Sequence, residues 1–331
     1  MEEQLSLNVH RERIGDLDAV AIGAMEEYGV QGLAMAVLHE DHLICERCFG
    51  VADPAAGRAV DFSTHFEAAS LTKPVFGYVV LKLAETGLID LDRPLATYPA
   101  EPPTTDERIR LLTARHVLTH ASGLPNWDKK PLPMLFTPGN GFHYSGEGYA
   151  YLQRVVEQAT GRRLDHLLQE EVFNPFHMDD AAMVWTGPLN RTLAVSHGED
   201  GAPEPMRRTA WHRIGYYEPN AAFSLYVNIR EYPKFLINAI TPAFTERVLE
   251  TLNPAGENVF WGLGWGEFRG ALWHWGDNGG YKSFVLRNAA AGDAIVIHTN
   301  SFTGLSACQD IAEYVFDTDF SDVFRFIAGA E

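Results

Sequence analysis

Residues 66–73 read Phe-Glu-Ala-Ala-Ser-Leu-Thr-Lys, and a helix is predicted to begin inside this stretch. After Ser70 the apolar residues recur at helical spacing until Gly87, which is a typical stop. Serine is a good residue at such a helix start. Because residues i and i+3 share one face of a helix, the Lys73 side chain can reach the Ser70 hydroxyl.

A serine and a lysine at this spacing can carry nucleophilic chemistry. A serine hydroxyl is a weak nucleophile unless a neighbour takes its proton. A partly buried lysine, whose pKa is depressed by desolvation, can do so. The helix start also supplies unpaired backbone N–H groups near a developing oxyanion. The pattern alone is weak, since a capping serine followed by a solvated lysine has the same sequence.

Further motifs surround this stretch in a fixed order. They are Gly-Val-Ala-Asp-Pro at 50–54, Gly-Leu-Ile-Asp-Leu-Asp at 87–92, His-Val-Leu-Thr-His-Ala-Ser-Gly-Leu-Pro at 116–125, Pro-Gly at 138–139, Tyr-Ser-Gly-Glu-Gly-Tyr at 144–149, Trp-Gly-Leu-Gly-Trp at 261–265 and His-Trp-Gly-Asp-Asn-Gly-Gly-Tyr at 274–281. Together they resemble the serine β-lactamase and penicillin-binding-protein superfamily, and more closely its class C β-lactamase-like esterase group. Several ordered motifs that match one group are far more specific than a single motif.

Strand patterns lie at both ends of the chain and helical patterns lie in the middle. The predicted strands are 33–38, 43–51, 259–268, 272–275, 282–286 and 294–298, and the clearest predicted helices are 14–28, 147–160, 229–240 and 305–316. This order favours an α/β (α+β) fold, with one sheet built from both termini and a helical domain inserted between its strands. The resemblance implies an antiparallel sheet domain of residues 1–65 and 257–331, a mostly helical domain of residues 66–256, and an active site in the cleft between them.

The resemblance also assigns roles to individual residues. Ser70 would be the nucleophile, and Lys73 and Tyr144 would handle protons. Two adjacent cations are expected to lower the pKa of Tyr144, and either Lys73 or Tyr144 could be the general base. His274 would line the site beside Tyr144, and the backbone N–H groups of Ser70 and Asp277 would form the oxyanion hole.

The second and third motifs depart from the family pattern. Gly146 stands where Asn usually contacts an acylamide group, and His274 stands where class C β-lactamases carry Lys. Trp275 replaces a small hydroxyl residue and is expected to narrow the cleft, whereas Gly276 keeps the glycine of the third motif. A histidine is at most partly charged near pH 7, and an indole accepts no hydrogen bond. These changes favour a substrate without an anionic group.

The predicted reaction is therefore ester hydrolysis through an acyl-enzyme on Ser70, without a metal or organic cofactor. Two alternatives stay open: a β-lactamase or D-amino-acid peptidase or amidase, and a catalytically silent binding protein. Glu147, Trp127 and Tyr281 either line the cleft or fill it, and the histidines of the motif at 116–125 are interpreted as structural. The expected partner is a small ester or amide.

Composition excludes several other classes of protein. The 331 residues carry 26 Lys and Arg against 44 Asp and Glu, a net charge of −18, which disfavours nucleic acid. The sequence contains no run of about 18 apolar residues, so no membrane span is predicted. The N-terminus lacks the basic and apolar regions of a signal peptide, so a cytoplasmic location is expected.

Three other patterns are interpreted as structural. Cys45 and Cys48 spell C-x-x-C, but they lie on a predicted strand, where residues i and i+3 point to opposite faces. Residues 39–42 read His-Glu-Asp-His and are predicted to form a solvated hairpin turn rather than a metal site. The glycines at 262, 264 and 266 lack dinucleotide-binding spacing and are predicted to lie in a tightly packed strand.

Overall fold

The computed structural model describes residues 7–204 and 217–330. Its strands are β1 (Gly32–His39), β2 (His42–Asp53), β3 (Arg58–Ala59), β4 (Phe66–Ala69), β5 (Leu225–Val227), β6 (Asn253–Gly256), β7 (Val259–Trp261), β8 (Gly266–Phe268), β9 (Ala271–Asp277), β10 (Lys282–Asn288) and β11 (Asp293–Thr299). Nine of them form one sheet in the order β3-β2-β1-β11-β10-β9-β8-β7-β6, and β4 pairs with β5. All named pairs are antiparallel. The predicted antiparallel sheet is confirmed.

Both ends of the chain meet in the middle of this sheet. Strand β1 pairs with β11, so that Leu33 lies opposite Thr299. Strand β6 also belongs to the sheet and starts at Asn253, before the boundary that the sequence predicts at residue 257.

Helices cover the two faces of the sheet. They are α1 (Leu17–Tyr28), α2 (Thr72–Glu85), α3 (Ala114–Leu118), α4 (Gly146–Thr160), α5 (Leu164–Leu168), α6 (Leu189–Thr192), α7 (Glu231–Ala239), α8 (Pro242–Leu249), α9 (Gly304–Phe316) and α10 (Ser321–Ala330). Short 3-10 helices occupy Arg11–Gly15, Leu95–Thr97 and Glu107–Leu111, and a π-helical turn occupies Gln169–Phe173.

Strand β1 shows how the two faces are used. Alternate residues of a strand point to opposite sides. Leu33, Met35 and Val37 pack into a core with the terminal helices α1, α9 and α10. Ala34 and Ala36 face the core that contains α2 and the helical middle of the chain. Because both faces are covered, the strand is apolar along its length instead of alternating with polar residues.

The structure differs from the sequence prediction in two places in the C-terminal part of the chain. The predicted strand 259–268 is two strands, because Gly264 adopts a φ of +88° and the Gly262 N–H donates to the Trp265 carbonyl oxygen at 2.8 Å. The glycines at 262 and 264 therefore form a turn. Helix α10 was not predicted, although Val323, Phe324 and Ile327 are buried at helical spacing.

The patterns interpreted as structural have ordinary structural environments. Cys45 is a free thiol in the core beneath the terminal helices, whereas Cys48, also free, packs against the other core. Strands β1 and β2 turn at Glu40 and Asp41. In residues 7–204 and 217–330 no group of three metal-binding side chains occurs, and no helix has the length and hydropathy to cross a bilayer. The first six residues, on which the expectation about a signal peptide depends, lie outside the described residues.

Candidate active site

Ser70 lies at the sharp junction between β4 and α2. The preceding residue, Ala69, has a φ of +50°, a left-handed conformation that turns the chain abruptly. The Thr72 hydroxyl donates to the Ala69 carbonyl oxygen at 2.6 Å and accepts from the Leu225 N–H at 3.0 Å. These bonds fasten the turn to β5, while Ser70 itself stays partly exposed.

Lys73 is buried beside Ser70. Helix α2 is apolar on almost every side, so its first turn is carried into the core and Lys73 is only 1% exposed. The Lys73 amine lies 2.9 Å from Ser70 Oγ and donates to the Ala222 carbonyl oxygen at 2.8 Å. Burial lowers the pKa of Lys73 well below its ordinary value, because a charged amine loses its hydration there.

Tyr144 has an environment opposite to the expected one. Burial raises the pKa of this phenol, and the Asp277 carboxylate raises it further, so the expectation of a lowered pKa is wrong. The Lys73 amine lies over the ring face, 4.8 Å from its centre. The Ser70 side chain is near enough to offset part of the rise. The Tyr144 hydroxyl nevertheless makes no hydrogen bond of normal geometry to a described residue.

A loop from the motif at 116–125 holds the Tyr144 segment. The Ser145 N–H donates to His120 Nδ1 at 3.1 Å, and the Ser145 hydroxyl donates to the Pro125 carbonyl oxygen at 2.8 Å. The same hydroxyl caps α4 by accepting from the Gly148 N–H at 2.9 Å. The His120 ring packs against Tyr144 with 4.3 Å between ring centres.

Two fully buried histidines flank the tyrosine. Burial lowers the pKa of both His120 and His274 well below the ordinary value, and the nearby Lys73 lowers it further. The His274 Nδ1–H donates to the Trp275 carbonyl oxygen at 2.7 Å, and Nε2 of each ring has no partner among the described residues. The motif at 116–125 gives no sign of which histidine turns inward, and the structure shows that His120 does. His116 forms a capping box with Thr113 instead.

The third motif lies on β9 against the chain that leads into Ser70. A Cβ atom on Gly276 would lie 3.2 Å from the Ala69 Cβ atom and would collide with the Ala68 carbonyl oxygen. Glycine therefore allows this close approach. Next along the chain, Asp277 forms an ion pair with Lys282 and accepts from the Gly279 N–H at 2.8 Å.

The other two predicted residues of the third motif are buried. The Trp275 ring is 2% exposed and packs 4.7 Å from the Tyr144 ring, so it backs the tyrosine instead of narrowing an open cleft. The His274 ring lies 6.3 Å from the Tyr144 ring. The structure thus places the His274 and Trp275 side chains beside Tyr144, on the side of strand β9.

Gly146 begins α4, and its N–H donates to Asn126 Oδ1 at 2.9 Å. The Trp127 ring covers the position where a side chain at residue 146 would lie. Glu147 is 8% exposed, and burial raises the pKa of its carboxyl. Tyr281 is buried and its hydroxyl donates to the Ala194 carbonyl oxygen. Of the three residues whose position was left open, Trp127 is therefore the one at the surface of the site.

A sheet flanked by terminal helices, with a serine and a buried lysine at the start of a central helix, defines a serine-β-lactamase fold. Residues 17–319 match the β-lactamase family, and the chain belongs to it. Esterase EstB from Burkholderia gladioli is 32% identical over 223 residues, which are 58% of this chain and 56% of that protein. The chain spans about half the length of the curated relatives it matches.

Solved structures share the fold. The octameric penicillin-binding protein homologue from Pyrococcus abyssi superposes with a TM-score of 0.77 at 18% identity, covering 96% of this chain and 77% of that one. The D-alanine carboxypeptidase AmpC from Burkholderia cenocepacia gives 0.77 at 16% identity, covering 92% and 99%. The resemblance and the fold predicted from the sequence motifs are confirmed.

Proposed function

We propose that this protein is a serine hydrolase that forms an acyl-enzyme on Ser70 and acts on carboxylic esters. The observation that carries the proposal is the Lys73 amine, buried, with a lowered pKa, and 2.9 Å from the hydroxyl of a partly exposed serine. An amine in this state has a free lone pair for the Ser70 proton, while it still donates to the Ala222 carbonyl oxygen.

The proposed reaction has two steps. Ser70 Oγ attacks the ester carbonyl carbon and passes its proton to Lys73, giving a tetrahedral oxyanion that the backbone N–H groups of Ser70 and Asp277 stabilise. The intermediate collapses, and the leaving alkoxide takes a proton from Lys73, directly or through the Tyr144 hydroxyl. Water then attacks the acyl-enzyme, the acid departs, and Ser70 regains its proton. We assign the base to Lys73, because its amine lies 2.9 Å from Ser70 Oγ and burial lowers its pKa, whereas burial raises the pKa of Tyr144.

Three features favour esters over β-lactams. Gly146 offers no side-chain amide for an acylamide group. His274 stays neutral near pH 7, because burial lowers its pKa, and so provides no cation for a substrate carboxylate. The relative Esterase EstB is named for ester hydrolysis, although other relatives are named β-lactamase and D-aminopeptidase.

Turnover of p-nitrophenyl acetate and butyrate tests the proposal, beside a chromogenic cephalosporin and a D-alanyl anilide. We expect the highest kcat/KM for an ester, and covalent labelling of Ser70 by a fluorophosphonate, seen by intact mass. A higher kcat/KM for the cephalosporin or the anilide would assign the protein to the alternative class. Folded protein that neither turns over nor becomes labelled would be a silent binding protein.

A further inference from the structure

The space beside Gly146 is already filled by another part of the chain. A Cβ atom placed on Gly146 would lie 2.6 Å from Cε2 and Cη2 of the Trp127 indole, closer than real contacts of this kind. No side chain can therefore project from residue 146 unless the Trp127 ring moves. The Trp127 indole thus occupies the space that a side chain at residue 146 would need.

Hydrogen bonds hold the residue that precedes the indole. Asn126 accepts from the Gly146 N–H through Oδ1 at 2.9 Å and from the Glu147 N–H through its carbonyl oxygen at 3.1 Å. These bonds tie the residue before Trp127 to the start of α4. The Trp127 ring also meets the Phe223 ring edge-to-face, 5.6 Å between centres. About a third of Trp127 (36%) stays exposed, so the ring is open to a ligand.

Trp127 and Phe223, here called the aromatic wall, are each next in sequence to a residue that is hydrogen-bonded to the proposed site. Phe223 directly follows Ala222, whose carbonyl oxygen accepts from the Lys73 amine. The Phe223 carbonyl oxygen accepts from Asn278 Nδ2 at 3.5 Å, on the loop after β9. The backbone of the wall is thus tied to the second motif, to the residue that binds the Lys73 amine and to the loop after β9.

We propose that the aromatic wall binds the acyl part of the substrate and selects apolar arylalkyl acyl groups over acyl groups that carry an amide. This proposal depends on the proposed function, because it names the substrate class of the same site. An aryl ring gains buried area and edge-to-face contact with two aromatic side chains. An amide in the same place loses water without the partner that residue 146 usually provides.

Two methyl esters of equal chain length test this selection without any reaction. In methyl hippurate, an amide replaces two of the three methylene groups of methyl 4-phenylbutyrate. Titration calorimetry on Ser70→Ala protein gives both dissociation constants. We expect the phenylbutyrate to bind about tenfold more tightly, and Trp127→Ala in the same background to reduce the ratio to about one. Phe260→Ala is the matched control, since Phe260 is 38% exposed on β7, and it should leave the ratio unchanged.

Each result supports or overturns the proposed role of the aromatic wall. Equal binding of the two esters, or a ratio that Trp127→Ala leaves unchanged, overturns the proposal. Tighter binding of the hippurate also overturns it. Because Ser70→Ala protein binds without reacting, these outcomes are measured whether or not the wild-type protein hydrolyses esters. Failure of the wall and failure of the proposed function are therefore distinguishable.

Discussion

The lysine pocket and the aromatic wall differ in burial and in polarity. The lysine pocket is formed by Lys73, Tyr144, His120 and His274. The pocket is buried, and the Tyr144 hydroxyl and both histidine Nε2 atoms lack partners among the described residues. The wall is partly exposed, and its Trp127 ring contacts Phe223 and covers Gly146. One region holds polar groups at a cost in stability, and the other offers an apolar surface to solvent.

This difference separates reactivity from selectivity. An unpartnered polar group in a dry pocket is destabilising, and such groups accumulate where a protein needs reactive chemistry. An exposed ring costs little and can change without loss of the fold. Removal of polar groups from the pocket should therefore lower the rate without lowering stability, whereas substitutions in the wall should change substrate preference alone.

Ser70→Ala should have the largest effect. Removal of the attacking oxygen should lower kcat/KM for p-nitrophenyl butyrate by about 10⁴-fold or more, and should abolish fluorophosphonate labelling by intact mass. Ser283→Ala is the control, because Ser283 is a buried serine whose Oγ is paired with His298 Nδ1 at 2.8 Å and is not open to the probe. Labelling that survives in Ser70→Ala would place the nucleophile elsewhere.

Lys73→Met should lower kcat/KM by about 10³-fold, since a general base contributes this much. It should also stabilise the protein by about 1 kcal/mol at pH 7, because a buried amine is replaced by an apolar chain. In the wild-type protein the pKa of Lys73 is lowered from 10.5. Between the lowered value and 10.5 the unfolded chain binds more protons, so wild-type stability rises with pH. Urea unfolding across pH should show that Lys73→Met lacks this rise.

Tyr144→Phe should lower kcat/KM by about 10²-fold through loss of proton relay. Its hydroxyl has no partner of normal geometry, so the free energy of unfolding should change by less than about 0.5 kcal/mol. Tyr149→Phe is the control, because the Tyr149 hydroxyl is also buried and unpartnered, and Lys73 lies 5.5 Å from its ring centre. Equal losses of activity in both variants would argue against a specific role for Tyr144.

Gly146→Ala should have the smallest effect and should act on the wall. The added methyl group would displace the Trp127 ring, which can swing towards solvent because it is partly exposed. We expect about a threefold weaker binding of methyl 4-phenylbutyrate, with tryptophan fluorescence shifted to the red and the midpoint of urea unfolding almost unchanged. A large loss of stability would mean that the ring is locked in place.

Local patterns predict the parts of the site that are close in sequence. The spacing of Ser70 and Lys73 predicts their contact on one helical turn, and the continuous apolar face of α2 accounts for the burial of the amine. Strands at both ends of the chain predict the sheet. The pairing of β1 with β11 follows from this arrangement.

Long-range packing sets the rest, which a single sequence does not show. The Trp127 indole covers Gly146 from a different loop, and no local signal joins the two. The pKa of Tyr144 was expected to fall because cations were expected near its hydroxyl. Lys73 instead lies over the ring, and burial dominates. The split of the strand predicted at 259–268 depends on one backbone angle, the φ of Gly264.

The pairing of β1 with β11 also has a consequence for biosynthesis. Leu33 leaves the ribosome long before Thr299, its neighbour in the sheet. The nascent β1–β2 hairpin must therefore wait with one edge unsatisfied, and open edges of this kind invite association between chains. The newly made N-terminal segment thus needs protection until β11 has been synthesised, and a premature stop before β11 would leave the edge of β1 unpaired.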